Sequence, residues 1–285
     1  MIKLAISDMD NTLIPLGAAH VSSEAIYAIH KLHEAGVAFG PCTGRDVMEL
    51  EWMFRGDKSC FATGILSNGK KVMVDGQIVD LHLFAKDSME RLVDALAELP
   101  RVFANIYPLA MTPDNKAWAV NAPSGMLAGY ERRFKYNATV VSKVPDEKII
   151  AISIAFEGPE ERREEIRRAV KAAAPELDLV SPANNWIDVV PHGVNKASAF
   201  GVLTPALGVK PEEVAVFGDA ENDQAVMREA PNSVAVANAV PVVAEAARWH
   251  VGACLDEGVP IALQEIARAT KAGEMPSFMR EEGEA

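Results

Sequence analysis

The sequence predicts an α/β fold: the two ends of the chain build a Rossmann-like core around a parallel sheet, and the middle forms an inserted α+β unit. Three observations carry this. Residues 1–80 alternate short apolar runs with helical patterns, the same alternation returns at Val214, and the stretch between them differs in patterning and in charge. The predicted boundaries are 1–80 and 187–285 for the core and 81–186 for the insertion.

Lys3–Asp8 (KLAISD) reads as a buried strand that ends at a polar turn. Ser22 starts a helix led by Ser23 and Glu24, with Ile26, Ile29, Leu32 and Ala35 as its apolar stripe and Gly36 as its stop. Val37–Pro41 is a second strand, followed by Thr43-Gly44-Arg45 and another helix. Gly64–Ser67 reads as the third strand, closed by Asn68-Gly69, and Lys71–Val74 with Gln77–Val79 reads as a hairpin around Asp75-Gly76. Val214–Phe217 (VAVF) is continuously apolar, as a parallel strand covered on both faces must be. A helix over Glu221–Glu229, a strand over Ser233–Val236 and a helix from Pro241 to Ala247 follow. In the insertion Ile149–Phe156 alternates as a strand does, and Glu160–Ala174 is a helix in which Glu164 can pair with Arg167 and Arg168. Leu177–Ser181 and Trp186–Val190 form a closing pair of strands. The Gly- and Glu-containing tail after Lys271 is expected to be loosely held.

Composition sets the bounds. The chain has 285 residues, of which 49% are hydrophobic and 24% charged, ordinary values for a globular protein of about two domains. Three widely spaced cysteines, Cys42, Cys60 and Cys254, contain no CxxC pair, which points to free thiols in a reducing compartment and away from a zinc site. Charged and polar residues enter the N-terminal segment too early for a signal peptide, and no apolar run reaches the length of a membrane span, so a cytoplasmic location is expected. Twenty-eight basic against 40 acidic side chains give a net charge of −12, which counts against nucleic acid as the main partner. The acidity is uneven: residues 81–186 hold 14 basic and 15 acidic side chains, leaving 14 and 25 for the rest. A small anionic ligand stays compatible with this field, because a local metal outweighs distant charges.

Four polar clusters fall at the ends of core strands or in adjoining loops. They are Asp8-Met9-Asp10-Asn11-Thr12, Thr43-Gly44-Arg45, His192-Gly193-Val194-Asn195-Lys196 and Gly218-Asp219-Ala220-Glu221-Asn222-Asp223. Ligands of open α/β sheets bind outside the carboxyl ends of the strands. With the first strand flanked by the strands leading to Thr43 and Asp219, all four clusters converge there. Several carboxylates in so small a volume repel one another unless a hard divalent cation is present, so the pattern points to metal-assisted phosphoryl chemistry. Other side chains have plainer readings. His30 and His33 lie one turn apart with no third ligand following in the sequence, and read as a solvated helix face. Cys42 reads as an apolar filler, Trp118 and Trp186 as core, and Arg45 as a partner for a core acid. His192 lies near the third cluster, where it can approach a pocket mouth.

In their order, DMDNT, TGR, GVNK and GDAENDQAVM resemble the four motifs of the haloacid dehalogenase superfamily. The insertion after the Ser67-Asn68-Gly69 turn is similar to that of Cof-type phosphatases with a C2B cap, and Asn238-Ala239 and Asp256–Val259 also fit that group. The resemblance implies that Asp8 is the nucleophile and Asp10 the general acid and base. It implies phosphate contacts from Met9, Thr43, Gly44, Lys196 and Asn222. It also implies a Mg²⁺ cofactor held by Asp8, the Asp10 backbone carbonyl and Asp219, with Asp223 in support. The implied activity is hydrolysis of a small phosphate monoester, sugar phosphates included, with the cap side chains selecting the metabolite. The alternatives are a phosphomutase of the same superfamily and a phospho-acceptor switch, against which Asp10 argues. Where the superfamily usually has glycine this chain has Asn11, a residue that tolerates left-handed backbone.

Overall fold

The computed structural model describes residues 1–109, 117–123, 125–129, 138–183 and 185–280. It divides into two compact units, Met1–Leu81 with Asn195–Ala285, and His82–Val194. The first unit runs β1 (Leu4–Ser7), α1 (Ser23–Glu34), β2 (Ala38–Pro41), α2 (Val47–Met53), β3 (Gly64–Leu66), β4 (Lys71–Val74) and β5 (Gln77–Leu81). The second holds α3 (Lys86–Ala97), β6 (Val102–Pro108), β7 (Ala117–Val120), β8 (Ala138–Val141), β9 (Ile149–Phe156), α4 (Glu161–Ala173), β10 (Leu177–Ala183) and β11 (Trp186–Pro191). The chain then completes the first unit with α5 (Lys196–Ala206), β12 (Val214–Gly218), α6 (Gln224–Glu229), β13 (Asn232–Val236), α7 (Pro241–Ala246), β14 (Trp249–Val251) and α8 (Gly258–Ala272).

The main sheet of the first unit is parallel in the order β14-β13-β12-β1-β2. Strand β1 lies between β12 and β2, the arrangement that brings the sequence clusters together. Successive side chains of a strand point to opposite faces, and both faces are buried. Ala5, Ala215, Phe217, Val234 and Val236 meet α1 and α8 on one side. Leu4, Ile6, Val214, Val216 and Ala235 meet α5 and α6 on the other. Double coverage is why these strands read as unbroken apolar runs. Ser22 caps α1 by accepting the Ala25 N–H at 3.1 Å, as its type and place predict.

The second unit is a six-stranded sheet ordered β10-β11-β9-β6-β7-β8. One face packs against α3 and α4, with Leu92, Leu96, Ile166 and Val170 meeting Ala104, Ile106, Ile152, Ile154 and Val189. Trp118 and Trp186 are partly buried against this unit's hydrophobic clusters.

Four sequence expectations change. Gly64–Leu66 does not extend the parallel sheet; it belongs to a three-stranded antiparallel sheet with β4 and β5. It still lies parallel beside the end of β2, through the Cys42–Ile65 bridge and the Thr43 N–H, which donates to the Ile65 carbonyl at 2.8 Å. The cause is local: Ser67, Asn68 and Gly69 all have positive φ (51°, 56° and 92°), and three left-handed residues in a row reverse the chain onto itself. The tail is docked as far as Arg280. Met279 is buried, Met275 and Phe278 pack on the core, and the Ser277 hydroxyl donates to Glu265. Strands β6, β7, β8 and β14 and helices α3, α5 and α8 are elements left unassigned in the sequence reading. Finally, β11 pairs with both β10 and β9, so the first unit resumes at Asn195 rather than at 187.

Gly69 marks a close approach as well as a turn, since a Cβ there would fall on the Asn195 carbonyl at the start of α5. Gly69→Ala is expected to destabilise the protein by about 2 kcal/mol or more, from positive φ and overlap together. Urea unfolding measures this, and a midpoint unchanged from wild type would contradict it.

Candidate active site

The site grows from the carboxyl ends of β1 and β12. Asp8 follows β1 directly and its side chain is nearly buried. Lys196 is the first residue of α5, fixed there because the Asn195 side chain accepts the Ala197 and Ser198 N–H groups, both at 2.9 Å. Its ammonium is fully buried and donates to Asp8 Oδ1 at 2.7 Å and to Asp223 Oδ1 at 2.6 Å. The other oxygen of Asp223 accepts the backbone N–H groups of Asp219 and Ala220, both at 3.0 Å, and so shapes the loop after β12. Gly218 makes room for this: an added Cβ would meet Asp223 Cγ at 2.6 Å. Asp219 accepts the Thr12 hydroxyl at 2.8 Å.

Asp8, Asp219 and Asp223 are all buried, and each offers an oxygen within 4.8 Å of the others. An all-oxygen anionic donor set of this size suits a small hard divalent cation. Burial is what makes the group expensive without one. It pushes the Asp8 carboxyl up to about 8, against the opposing pull of Lys196, with Asp223 adding repulsion. Burial likewise raises Asp219 to about 6, against the hydrogen bond from Thr12. Burial alone would discharge Lys196, but Asp223 and Asp8 more than reverse that and hold its pKa above the ordinary lysine range.

Asp10 stands apart from this triad. Both its oxygens accept from Arg45, Oδ2 from Nε at 2.8 Å and Oδ1 from Nη2 at 2.7 Å. The third arm of Arg45 reaches Glu49 at 2.9 Å. Arg45 therefore pairs with an acid, and that acid belongs to the site. Burial would lower its pKa, but the hydrogen bonds and charges of Asp10 and Glu49 raise it overall. Asn11 adopts φ 59°, the left-handed turn its side chain permits, and the Asn238 amide donates to its carbonyl at 2.8 Å. The Met9 side chain is fully buried in the core, and its carbonyl accepts the N–H groups of Thr12, Leu13 and Ile14.

Thr43 is buried just beyond β2, and its hydroxyl accepts the Arg45 N–H at 3.2 Å. A Cβ on Gly44 would meet the Asn68 amide nitrogen at 3.0 Å, and Asn222 donates to the same Asn68 side chain at 3.1 Å. Cys42 is buried with its thiol pushed up to about 12, the inert filler expected. His192, in the second unit, is paired with Asp178 at 2.9 Å. Thr12, Asn68 and Asn238 stand within the motifs quoted from the sequence but receive no role there, and the Asp46–Lys71 pair goes unnoticed. Asp46 caps α2 and accepts from Lys71 at 2.5 and 2.7 Å and from Ser67 at 2.8 Å, tying the Thr43–Arg45 loop to β4. The signal for Asn68 was present, since the Ser67–Gly69 turn had been singled out.

The model of the haloacid dehalogenase-like hydrolase family matches residues 5–263, a span that takes in all of these side chains, and the chain belongs to that family. Among curated relatives, the HMP-PP phosphatase of Citrobacter koseri is 28% identical over 267 residues, covering 91% of this chain and 93% of its own. That of Enterobacter sp. is 26% identical over 265 residues, with the same coverage. A solved subclass IIB sugar phosphatase of the superfamily superposes with a TM-score of 0.74 at 19% identity, over 92% of this chain and 98% of its own. A superfamily phosphatase from Bacteroides thetaiotaomicron gives 0.78 at 20% identity, over 93% and 94%. The chain is a phosphatase-type hydrolase of this superfamily, with the cap-bearing fold of its neighbours. Among the described residues no helix is long and apolar enough to cross a membrane.

The carboxyl shifts fix a pH dependence. The folded chain keeps protons on Asp8 and Asp219 that the unfolded chain gives up near pH about 4. The metal-free protein therefore loses stability as pH rises from about 4 through about 6 and about 8. Lys196, raised above an ordinary value already near 10.4, contributes no slope in that window. In chelator, the melting temperature of wild type relative to Asp219→Asn is expected to fall between pH about 4 and about 6, the interval over which Asp219 differs between folded and unfolded chain. Added Mg²⁺ should raise the wild-type value more at pH about 8 than at about 5, because the cation takes the ionised carboxylates. A difference that rises with pH, or a Mg²⁺ shift independent of pH, contradicts the assignment.

Proposed function

We propose that the chain is a Mg²⁺-dependent phosphatase that hydrolyses a small phosphorylated metabolite through an aspartyl-phosphate on Asp8. The observation that carries this reading is the contact of Asp8 with a fully buried Lys196 ammonium, two residues before an Asp10 that lies outside the carboxylate triad. Asp8 faces a fully buried ammonium, whereas Asp10 lies outside the triad in the part-exposed grip of Arg45, and these different surroundings suit a nucleophile and an acid–base.

Asp8, Asp219 and the Asp10 carbonyl would hold Mg²⁺, with Asp223 in support; the cation supplies charge neutralisation and polarises a phosphoryl oxygen. The chain's own groups do the rest. An oxygen of Asp8 attacks phosphorus and the bond to the leaving oxygen breaks, while Asp10 gives that oxygen a proton. Asp10 then takes a proton from water as the water attacks phosphorus, the bond to Asp8 breaks, and inorganic phosphate is released. Lys196 balances the charge of Asp8 and of the phosphoryl oxygens. Thr43, Gly44, Asn222 and the Met9 backbone bind those oxygens, and Asn68 holds Asn222 near Gly44. Arg45 orients Asp10 by its two-pronged contact.

The relatives named for HMP-PP and the sugar-phosphatase neighbour define two substrate panels, organic pyrophosphates and sugar phosphates, for phosphate-release assays with Mg²⁺. Steady release without an activating bisphosphate is the expected result and separates hydrolysis from mutase transfer. Asp219→Ala is expected to abolish turnover in a folded protein, and full wild-type activity in excess chelator would overturn the metal requirement.

A sharper test divides Asp8 from Asp10. Acid–base assistance contributes about 10²–10⁴-fold, so Asp10→Asn should lose about that factor on an alkyl phosphate. On an aryl phosphate, whose leaving group needs no proton, it should release a burst of about one phenol per site and then turn over slowly. Asp8→Ala should give neither burst nor turnover. Wild-type alkyl-phosphate turnover by Asp10→Asn would remove Asp10 from the mechanism.

A further inference from the structure

Two groups of potential ligands stand out among the described residues, and only one is the active site. The other joins His30 to Asp57 and Cys60, with one donor atom from each within 4.8 Å of the others. In sequence, the histidines of α1 had no third ligand. The fold instead brings two partners to His30 alone, Asp57 from the turn before a short 3₁₀ helix over Lys58–Cys60 and Cys60 from that helix. His30 Nε2 already meets Asp57 Oδ2 at 2.7 Å. The remaining oxygen of Asp57, Oδ1, accepts from the Ser59 hydroxyl at 2.6 Å and from its N–H at 3.2 Å, which fixes the carboxylate. Cys60 is fully buried in the same core cluster as Phe54 and Phe61. His30 is about half exposed, which leaves the cluster open on one side.

We propose that His30, Asp57 and Cys60 form a surface binding site for a thiophilic divalent cation of the Zn²⁺ class, separate from the active site. A thiolate with an imidazole is a soft donor pair that selects Zn²⁺ over Mg²⁺. Three protein donors leave the fourth tetrahedral position to water. The existing His30–Asp57 hydrogen bond would open to a donor separation of about 3.3 Å, as ligand bonds near 2.0–2.1 Å dictate. Binding replaces the Cys60 thiol proton, which leaves for the buffer, so one proton is released per cation bound. Burial, first of all, keeps the thiol protonated without a cation, at about 12. His33, a turn further along α1, has its pKa lowered mainly by burial and further by His30, against the pull of Asp57. The site is structural: it joins α1 to the segment after α2. Helix α1 runs back from the carboxyl ends of the strands to the start of β2, so its late residue His30 lies on the side away from Asp8.

The test uses the full chain in excess Mg²⁺, which saturates oxygen-only sites, with Co²⁺ as the optical probe and Zn²⁺ as the competitor. Wild type is expected to show thiolate-to-cobalt absorption that saturates near one equivalent and is displaced by Zn²⁺, and its melting temperature should rise with Zn²⁺. Cys60→Ser, which keeps the core volume, should lose the absorption. His30→Gln and Asp57→Asn should weaken Zn²⁺ binding by about tenfold or more. Asp219→Ala should leave the absorption intact. The proposal is overturned if wild type binds neither Co²⁺ nor Zn²⁺ with these signatures, or if the absorption survives in Cys60→Ser.

Discussion

The ammonium of Lys196 is the charge on which the site depends. It lies out of water between two carboxylates, and removing one member of such a buried set typically costs about 3–5 kcal/mol, because the remaining charges lose their partner. The surrounding structure serves this arrangement. Asn195 starts α5 so that its first residue is the lysine. Gly69 lets the 67–69 turn press against the Asn195 carbonyl. Bare Gly218 gives Asp223 the space to bind the lysine with one oxygen and two backbone amides with the other. Three glycine- or asparagine-dependent close approaches thus converge on one cation.

A second polar chain runs outward from Asp10. Arg45 grips Asp10 and Glu49, the Glu49 side chain returns to the Asp46 N–H at 3.1 Å, and Asp46 in turn binds Lys71 and Ser67. The Lys71 side chain is only 5% exposed, so this pair is screened far less than a surface ion pair. The position of Asp10 is therefore supported through α2 by a hairpin that touches no substrate in the proposed mechanism.

The sequence and the structure agree where one rule dominates. Continuous apolar strands, the Ser22 cap and the four polar clusters each follow from burial, capping or strand-end chemistry, and β1 does lie between β12 and β2. They part where two signals compete. Gly64–Leu66 has the composition of a buried parallel strand, but the three left-handed residues after it dictate an antiparallel return. The tail looks loose by composition, yet Met279 and Phe278 find apolar surface beside α8. Asn68 and the Asp46–Lys71 pair join residues far apart in sequence, and no local pattern encodes such a meeting. The His30 cluster is the same case: its members come from α1 and from a turn beyond α2.

The bond between Lys196 and Asp8 spans 188 positions of the chain, and β1 pairs with β12 along its full length, from Leu4 with Val214 to Ser7 with Phe217. A ribosome making this protein therefore presents Asp8 long before its partners exist. Throughout synthesis of residues 82–194, which close into a compact unit by their own contacts, one edge of β1 waits without its neighbour. Only once Lys196 has cleared the exit tunnel can Asp8 acquire its counter-charge. A chain that ends before Lys196 thus carries Asp8 without its ion pair, and the buried carboxylate group is put together only by the last long-range contacts to form.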